Sequence, residues 1–423
     1  MEEDKELIDP KALLIRAKGA GRGSGFFVGK NLIATNIHVA AAATSISVEV
    51  LGTADTKFEI IGVTAFDPKN DLVILKIADE GTPLPIGDNC LLQNGDIVRA
   101  IGCPNGKYEV AEGTVHSILR NNKWIRMKVR TSDGNSGGPV LNRNGEVIGV
   151  IISCEPPYSH AIPGSILKAL LDQSQVVEPL GQWQEREQIR AYACLVQSKI
   201  KHKSNKNDET IIDDLDKAVQ LIPDFFLFYF SRGNMMGHLG QSKVEGDDIG
   251  VGQQYYRDAI DDYTEAIKLC PDYATSYDSR GLEKSYLGQS EIKKGNITAA
   301  QRHYQSAIED HTEAIKLCLD YDSAYNNRAD TKWHFGKSEE VMGNIEAAKD
   351  LYQAALIDIN TAIELNSDVA LFHHTRGQIK AALGDYSTAI ENYEKACEID
   401  PDYTDVCKDL ELAKKALEQQ KIL

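Results

Sequence analysis

The sequence predicts two structural classes in one chain, an all-β N-terminal half followed by an all-α repeat solenoid. Three observations predict this. Short β-rich runs bounded by glycine, such as Gly23-Ser24-Gly25-Phe26-Phe27-Val28 and Gly145-Glu146-Val147-Ile148-Gly149-Val150, fill the first part of the chain without alternating helices. Beyond it, Pro223-Asp224, Pro271-Asp272, Leu319-Asp320 and Ser367-Asp368 step by 48 residues, and Pro401-Asp402 follows after 34. A fixed period of that size is the mark of stacked supersecondary units. A length of 423 residues with 42% hydrophobic and 26% charged content suits two or three folded domains.

The β-rich half carries three reactive residue types in a fixed order. His38 lies in Thr35-Asn36-Ile37-His38-Val39, Asp71 in Asn70-Asp71-Leu72-Val73-Ile74-Leu75, and Ser136 in Gly134-Asn135-Ser136-Gly137-Gly138-Pro139. A serine hydroxyl is a poor nucleophile at neutral pH, so a neutral imidazole must take its proton and a buried carboxylate must fix the imidazole tautomer. His38, Asp71 and Ser136 can fill those roles. The glycines around Ser136 permit a tight turn aiming the amides of Gly134 and Ser136 at one point, where a tetrahedral oxyanion would form. A nucleophile elbow of the α/β-hydrolase type is excluded, because it needs a strand-to-helix turn and the order Ser, Asp, His.

At these residues the chain resembles the trypsin-like peptidases, and within them the HtrA/Deg-like branch. The likeness runs through Leu32 to Val39, Leu84-Pro85-Ile86-Gly87, Gly95 to Gly102, and Gly145 to Val150 leading to His160-Ala161-Ile162-Pro163, so it spans residues 12–175. It implies a double β-barrel, the His38, Asp71 and Ser136 triad, and an oxyanion hole made by Gly134 and Ser136. It also implies that the primary substrate pocket draws on Arg130, Thr131, Ile151, Ser153 and His160, where Arg130 or His160 could favour an acidic residue before the scissile bond. One departure from digestive trypsins matters: Asn135 stands where those enzymes have an aspartate that pairs with a newly cut N-terminus. With Met1-Glu2-Glu3-Asp4 at the start, activation by clipping is not expected, and ordering of the loops at 111–122 and 130–134 is the expected switch.

Composition bounds the rest. No apolar run approaches the roughly 18 residues of a membrane span, and a cytosolic location is expected. Cys90, Cys103, Cys154, Cys194, Cys270, Cys318, Cys397 and Cys407 are scattered without CxxC spacing, so neither a disulfide scaffold nor a zinc site is indicated, and no cofactor or metal is expected. A net charge of −17 argues against a nucleic-acid partner.

Residues 176–187 are expected as a linker, 188–404 as an array of about five units, and 405–423 as a capping helix. Ala370 to Tyr403 resembles a tetratricopeptide repeat (TPR), with Gly377 and Ala389 at the helix contact, Tyr393 and Ala396 packed there, and Pro401 closing the unit. Three units exceed 34 residues by 14, which predicts about seven more residues, two turns, in each of two antiparallel helices. Arg232, Arg280, Arg328 and Arg376 keep the 48-residue step and are expected at helix and repeat interfaces. Phe228, Tyr229, Tyr277, Tyr325 and Trp333 are expected mainly between helices.

The leading functional expectation is a cytosolic serine endopeptidase whose array recruits a protein substrate or effector, with no nucleic-acid or membrane partner. The alternative is a protease-fold regulatory or scaffold protein in a bacterial signalling or defence assembly, gated by a partner or catalytically silent.

Overall fold

The computed structural model describes residues 12–50, 57–88, 92–119, 123–155, 158–173, 176–204 and 209–420, without the side chains of 153–155. Cys90, the side chains of Ser153 and Cys154, the opening residues 1–4 and the end of the expected cap at 421–423 lie outside what is described. The chain divides into two compact units, Met1–Arg232 and Gly233–Leu423.

The first unit begins with two closed antiparallel barrels of six strands each. The first barrel is built from β1 (Leu13–Lys18), β2 (Gly21–Gly29), β3 (Leu32–Asn36), β4 (Ser45–Val50), β5 (Lys57–Asp67) and β6 (Leu72–Ile77), in the order β1-β2-β3-β6-β5-β4. The short helix α1 (Ile37–Ala40) follows β3 directly. The second barrel uses β7 (Ile97–Gly102), β8 (Glu109–Ile118), β9 (Ile125–Lys128), β10 (Pro139–Leu141), β11 (Val147–Glu155) and β12 (Tyr158–Pro163). Its core gathers Val98, Val115, Ile125, Met127, Val140, Ile148 and Ile151 from strands around the barrel. Closure pairs every strand edge, which is how a sheet of β-branched residues avoids exposing unpaired backbone.

Helices complete this unit: α2 (Gly164–Asp172), α3 (Leu180–Gln184), α4 (Glu187–Ser204), α5 (Thr210–Leu221) and the start of α6 (Phe226–Glu245). Here the structure differs from the expected linker. Residues 176–187 pack on the first barrel: Val63 and Glu178 exchange backbone hydrogen bonds of 2.8 Å each, and Trp183 is fully buried with its ring edge-on to Phe66. A polar stretch is thus tied down by one large apolar side chain and two backbone bonds. The division between compact units falls instead at Arg232/Gly233.

The second unit is an all-α solenoid of TPR type, made of α7 (Ile249–Leu269), α8 (Ala274–Lys293), α9 (Ile297–Leu317), α10 (Asp322–Val341), α11 (Ile345–Leu365), α12 (Ala370–Ala382), α13 (Tyr386–Ile399) and α14 (Thr404–Gln420). The pair α12 and α13 has 13 and 14 residues, whereas α8 and α9 have 20 and 21, so each helix of the long unit carries seven more. The added turns carry their own layer of packing. In the short unit a Cβ at Gly377 would lie 2.4 Å from the Tyr393 ring; in a long unit a Cβ at Gly281 would lie 2.8 Å from the His311 ring and one at Gly288 2.7 Å from the Tyr304 ring.

The recurring arginines bind within the stack. Arg280 reaches both carboxylate oxygens of Asp310 (2.9 and 2.7 Å) and the Thr264 hydroxyl (3.1 Å), and Arg328 repeats this with Asp358 (2.8 and 2.6 Å) and Thr312 (3.1 Å). Each arginine therefore joins the second helix of its own unit to that of the preceding one, in bidentate geometry. Arg376 finds Asn392 and Asn360 at the same places.

Candidate active site

Strand register brings the histidine and the aspartate together. Asn36 pairs with Leu72 at the ends of β3 and β6, so the next residue outward on each side belongs to one corner. The Asp71 backbone carbonyl accepts from the Asn36 amide side chain (2.9 Å) and from the Ile37 N–H (3.1 Å). Asp71 has φ of 55°, a left-handed conformation that aspartate tolerates better than most residues, and it is 2% exposed. Both carboxylate oxygens turn to His38: one accepts its backbone N–H at 2.9 Å and the other lies against ring Nδ1. The imidazole is thus gripped at two points, leaving Nε2 as the free ring nitrogen. His38 keeps 21% of its side chain exposed, so the opposite edge reaches the cleft.

Ser136 is set by the glycine turn before β10. Gly134 and Gly137 have φ of 100° and 85°. At Gly137 a Cβ would come within 2.2 Å of the Ser24 carbonyl, and at Gly138 within 2.1 Å of the Ile101 carbonyl, so both positions exclude any side chain. Gly137 N–H donates to the Ile151 carbonyl (2.8 Å), and Ile151 N–H donates to that of Gly138 (2.9 Å). Among the described residues the N–H groups of Gly134 and Ser136 have no acceptor, which leaves two donors for an incoming oxyanion. His38, Gly134 and Ser136 line one cleft of about 320 Å³.

The structure therefore brings His38, Asp71, Gly134 and Ser136 together. The Ser136 hydroxyl donates to the Ile152 carbonyl at 3.4 Å, and no hydrogen bond links it to His38 among the described residues.

Sequence reasoning missed Ser24. Its hydroxyl donates to the Gly134 carbonyl (2.7 Å) and accepts the Cys103 N–H (2.8 Å), while its own N–H donates to the Ser136 carbonyl (2.8 Å). It is fully buried and fixes the turn carrying both free amides. The available signal was a serine between two glycines in an apolar strand. Burial raises the neighbouring Cys103 thiol to about 11, with the Ser24 hydrogen bond opposing, so this cysteine stays a neutral thiol. Asn135 is 2% exposed and its Oδ1 has no partner among the described residues.

Of the residues expected in the primary pocket, Thr131, Ile151 and His160 are buried. Ile151 packs into the second barrel core, Thr131 is buried with its hydroxyl 2.6 Å from that of Ser159, and His160 is fully buried, accepting from Arg126 Nε at 3.4 Å. Desolvation, aided by the Arg126 charge, holds His160 well below the ordinary histidine range, so it is neutral and supplies no positive charge for an acidic residue. Arg130 is exposed.

Residues 23–150 match the trypsin-like peptidase domain family, and residues 377–406 match a TPR repeat family. Residues 23–150 are thus similar to trypsin-like peptidase domains, and residues 377–406 to a TPR repeat. A probable periplasmic serine endoprotease, DegP-like, of Chlamydia trachomatis serovar D is 37% identical to this chain over 172 residues, covering 37% of the chain and 34% of the relative. Its counterpart in Hahella chejuensis is 39% identical over 137 residues, covering 30% and 29%. The solved structure of Deg5 is 29% identical, covers 38% of this chain and 87% of that one, and has a TM-score of 0.35. The chain spans about a third of the length of these curated relatives.

Proposed function

We propose that this chain is a serine endopeptidase in which Ser136 attacks a peptide carbonyl, His38 accepts and returns the proton, Asp71 orients and stabilises the imidazolium, and the Gly134 and Ser136 amides hold the oxyanion. The observation that carries this reading is the grip of the buried Asp71 on both the ring and the backbone of His38, beside a serine flanked by two unpaired amides. The reaction passes through an acyl-enzyme: Ser136 Oγ bonds to the carbonyl carbon, the amine leaves with the proton from His38, and water then releases the acid. The TPR array recruits the protein substrate or an effector. A cytosolic location belongs to the same proposal and is supported by Cys103, Cys194, Cys270, Cys318, Cys397 and Cys407 being thiols, not disulfides; the relatives are named periplasmic, and cell fractionation decides between the two. Among the described residues no helix is long and apolar enough to cross a membrane.

The test is intact-mass spectrometry after incubation with a fluorophosphonate. One adduct on Ser136, absent in Ser136→Ala, is expected; an adduct persisting in that variant overturns the assignment. A second reading, a peptidase gated by a partner, is favoured by the Ser136 hydroxyl lying on Ile152. Under it, labelling accelerates when a partner binds.

A further inference from the structure

Helix α4 lies outside the two barrels, yet Val196, Lys199, Ile200 and Lys203 line the same cleft as His38, Gly134 and Ser136. Their spacing of three, four and seven residues puts them on one helix face. The helix is fastened to the histidine corner. Tyr192 is fully buried, donates its hydroxyl to the Pro68 carbonyl at 2.6 Å, and packs its ring on Phe225 and Phe228. Just before α4, the Gln184 side chain donates to the carbonyls of Ala40 and Ala43 at 3.0 and 2.9 Å, at the end of the helix that carries His38. A helix anchored at that many points is a wall of the cleft.

The wall is basic. Arg22 and Lys199 both line the cleft, and neither side chain has a hydrogen bond or ion pair among the described residues. Lys203 reaches Asp133 at 3.5 Å, and Asp133 is 97% exposed, so screening by water leaves that pair weak. Lys199 is exposed on its cleft side although protein surrounds the rest of it. That surrounding protein lowers its pKa by desolvation, against the pull of Asp71 and Asp133, but access to water keeps the ammonium charged. Unpaired cations sharing one cleft repel each other, and an anion entering between them relieves that cost.

We propose, resting on the peptidase reading above, that α4 is part of the substrate cleft and that Lys199 with Arg22 selects acidic residues on the leaving-group side of the scissile bond of a polypeptide. The side follows from the chemistry. A carbonyl seated on the Gly134 and Ser136 amides turns its leaving nitrogen toward His38, which must protonate it. The cleft runs from His38 along α4, whereas Ile152, whose carbonyl touches Ser136, is not in its lining. The segment that departs with the nitrogen therefore passes Lys199.

The experiment digests a proteome-derived peptide library with the full chain and reads cleavage sites by mass spectrometry. Asp and Glu are expected to be enriched within the first residues after the cut, and the enrichment should weaken as salt rises. Lys199→Glu should reverse the preference toward Lys and Arg, changing the acidic-to-basic ratio of kcat/KM by about tenfold or more. Arg22→Gln, a milder change, should reduce enrichment without reversing it, and Lys168→Glu on α2 serves as a charge control with unaltered selectivity. Wild-type chain that labels at Ser136 and cleaves with no acidic enrichment, or Lys199→Glu that folds by circular dichroism and keeps the wild-type preference, overturns this proposal alone. Wild-type chain that fails to label at Ser136 overturns the peptidase reading itself.

Discussion

At Ser24 one hydroxyl satisfies two buried backbone groups, the Gly134 carbonyl and the Cys103 N–H. Ser24→Ala leaves both without a partner, a cost of about 1–3 kcal/mol. It also frees the turn holding the oxyanion amides, so phosphonate labelling of Ser136 should slow by about tenfold or more. Thermal unfolding and the labelling rate check the two parts separately; unchanged labelling would show that the glycine turn holds itself. Glu283 sets a second expectation at this scale. It is buried in the array, Oε2 has no partner among the described residues, and burial raises its carboxyl to about 8. An unfolded glutamate titrates near 4.3, so between that value and about 8 the folded chain holds a proton that the unfolded chain has released. Stability tied to Glu283 is therefore greatest in acid and falls as pH rises through that window. Glu283→Gln should raise Tm by at least about 3 °C more at pH 9 than at pH 5. Equal Tm differences at both pH values would mean that water reaches the carboxylate.

At the scale of elements, the array shows why matched lengthening works. Antiparallel helices share each packing layer, so seven added residues in one helix need seven in its partner. Deleting Gly336–Met342 together with Glu346–Tyr352 removes one shared layer from α10 and α11 and should destabilise the chain less than either deletion alone. Urea unfolding of the three variants checks this, and additive losses would refute the layer account. The ion pairs give a related expectation. Asp358 is 4% exposed and takes both Arg328 (2.6 Å) and Lys332 (2.7 Å), so Asp358→Ala strands two cations. It should cost about 2–4 kcal/mol and exceed the loss from Arg328→Ala, which leaves Lys332 on the carboxylate. The 48-residue step made these helices legible, because identical contacts recur at identical intervals. The contact of His38 with Asp71 and the cleft that His38 shares with Ser136 were legible because these residues sit in contexts dictated by backbone geometry. The packed segment around Trp183 was not legible, since its polar composition hides one fully buried ring. The α4 face was not legible, since helical spacing at 196, 199, 200 and 203 does not say what that face meets. The burial of Thr131, Ile151 and His160 was not legible, since proximity in sequence to the site does not settle which way a side chain points.

At the scale of the whole molecule, the active unit extends past the barrels. Trp183, Gln184 and Tyr192 tie α3 and α4 to β5, α1 and the Asp71 loop, and the first compact unit runs to Arg232. A chain ended at Asp172 would strip the cover from Phe66 and leave the carbonyls of Ala40 and Ala43 without the Gln184 donor. It should therefore unfold at a lower temperature and label slowly at Ser136, even though both barrels are present. A chain ended at Glu245, where α6 is complete, should label as fast as the full protein, because every contact of the cleft lies before that point. Under the proposed function the array would act through recruitment, raising the local concentration of a protein substrate without touching the chemistry. The Glu245 chain should accordingly cleave short peptides at the full-length rate and the array's protein partner much more slowly. Equal rates on that partner would remove recruitment from the account. Loss of labelling in the Glu245 chain would instead mean that the second unit orders the Ser136 hydroxyl, the outcome expected of a gated peptidase.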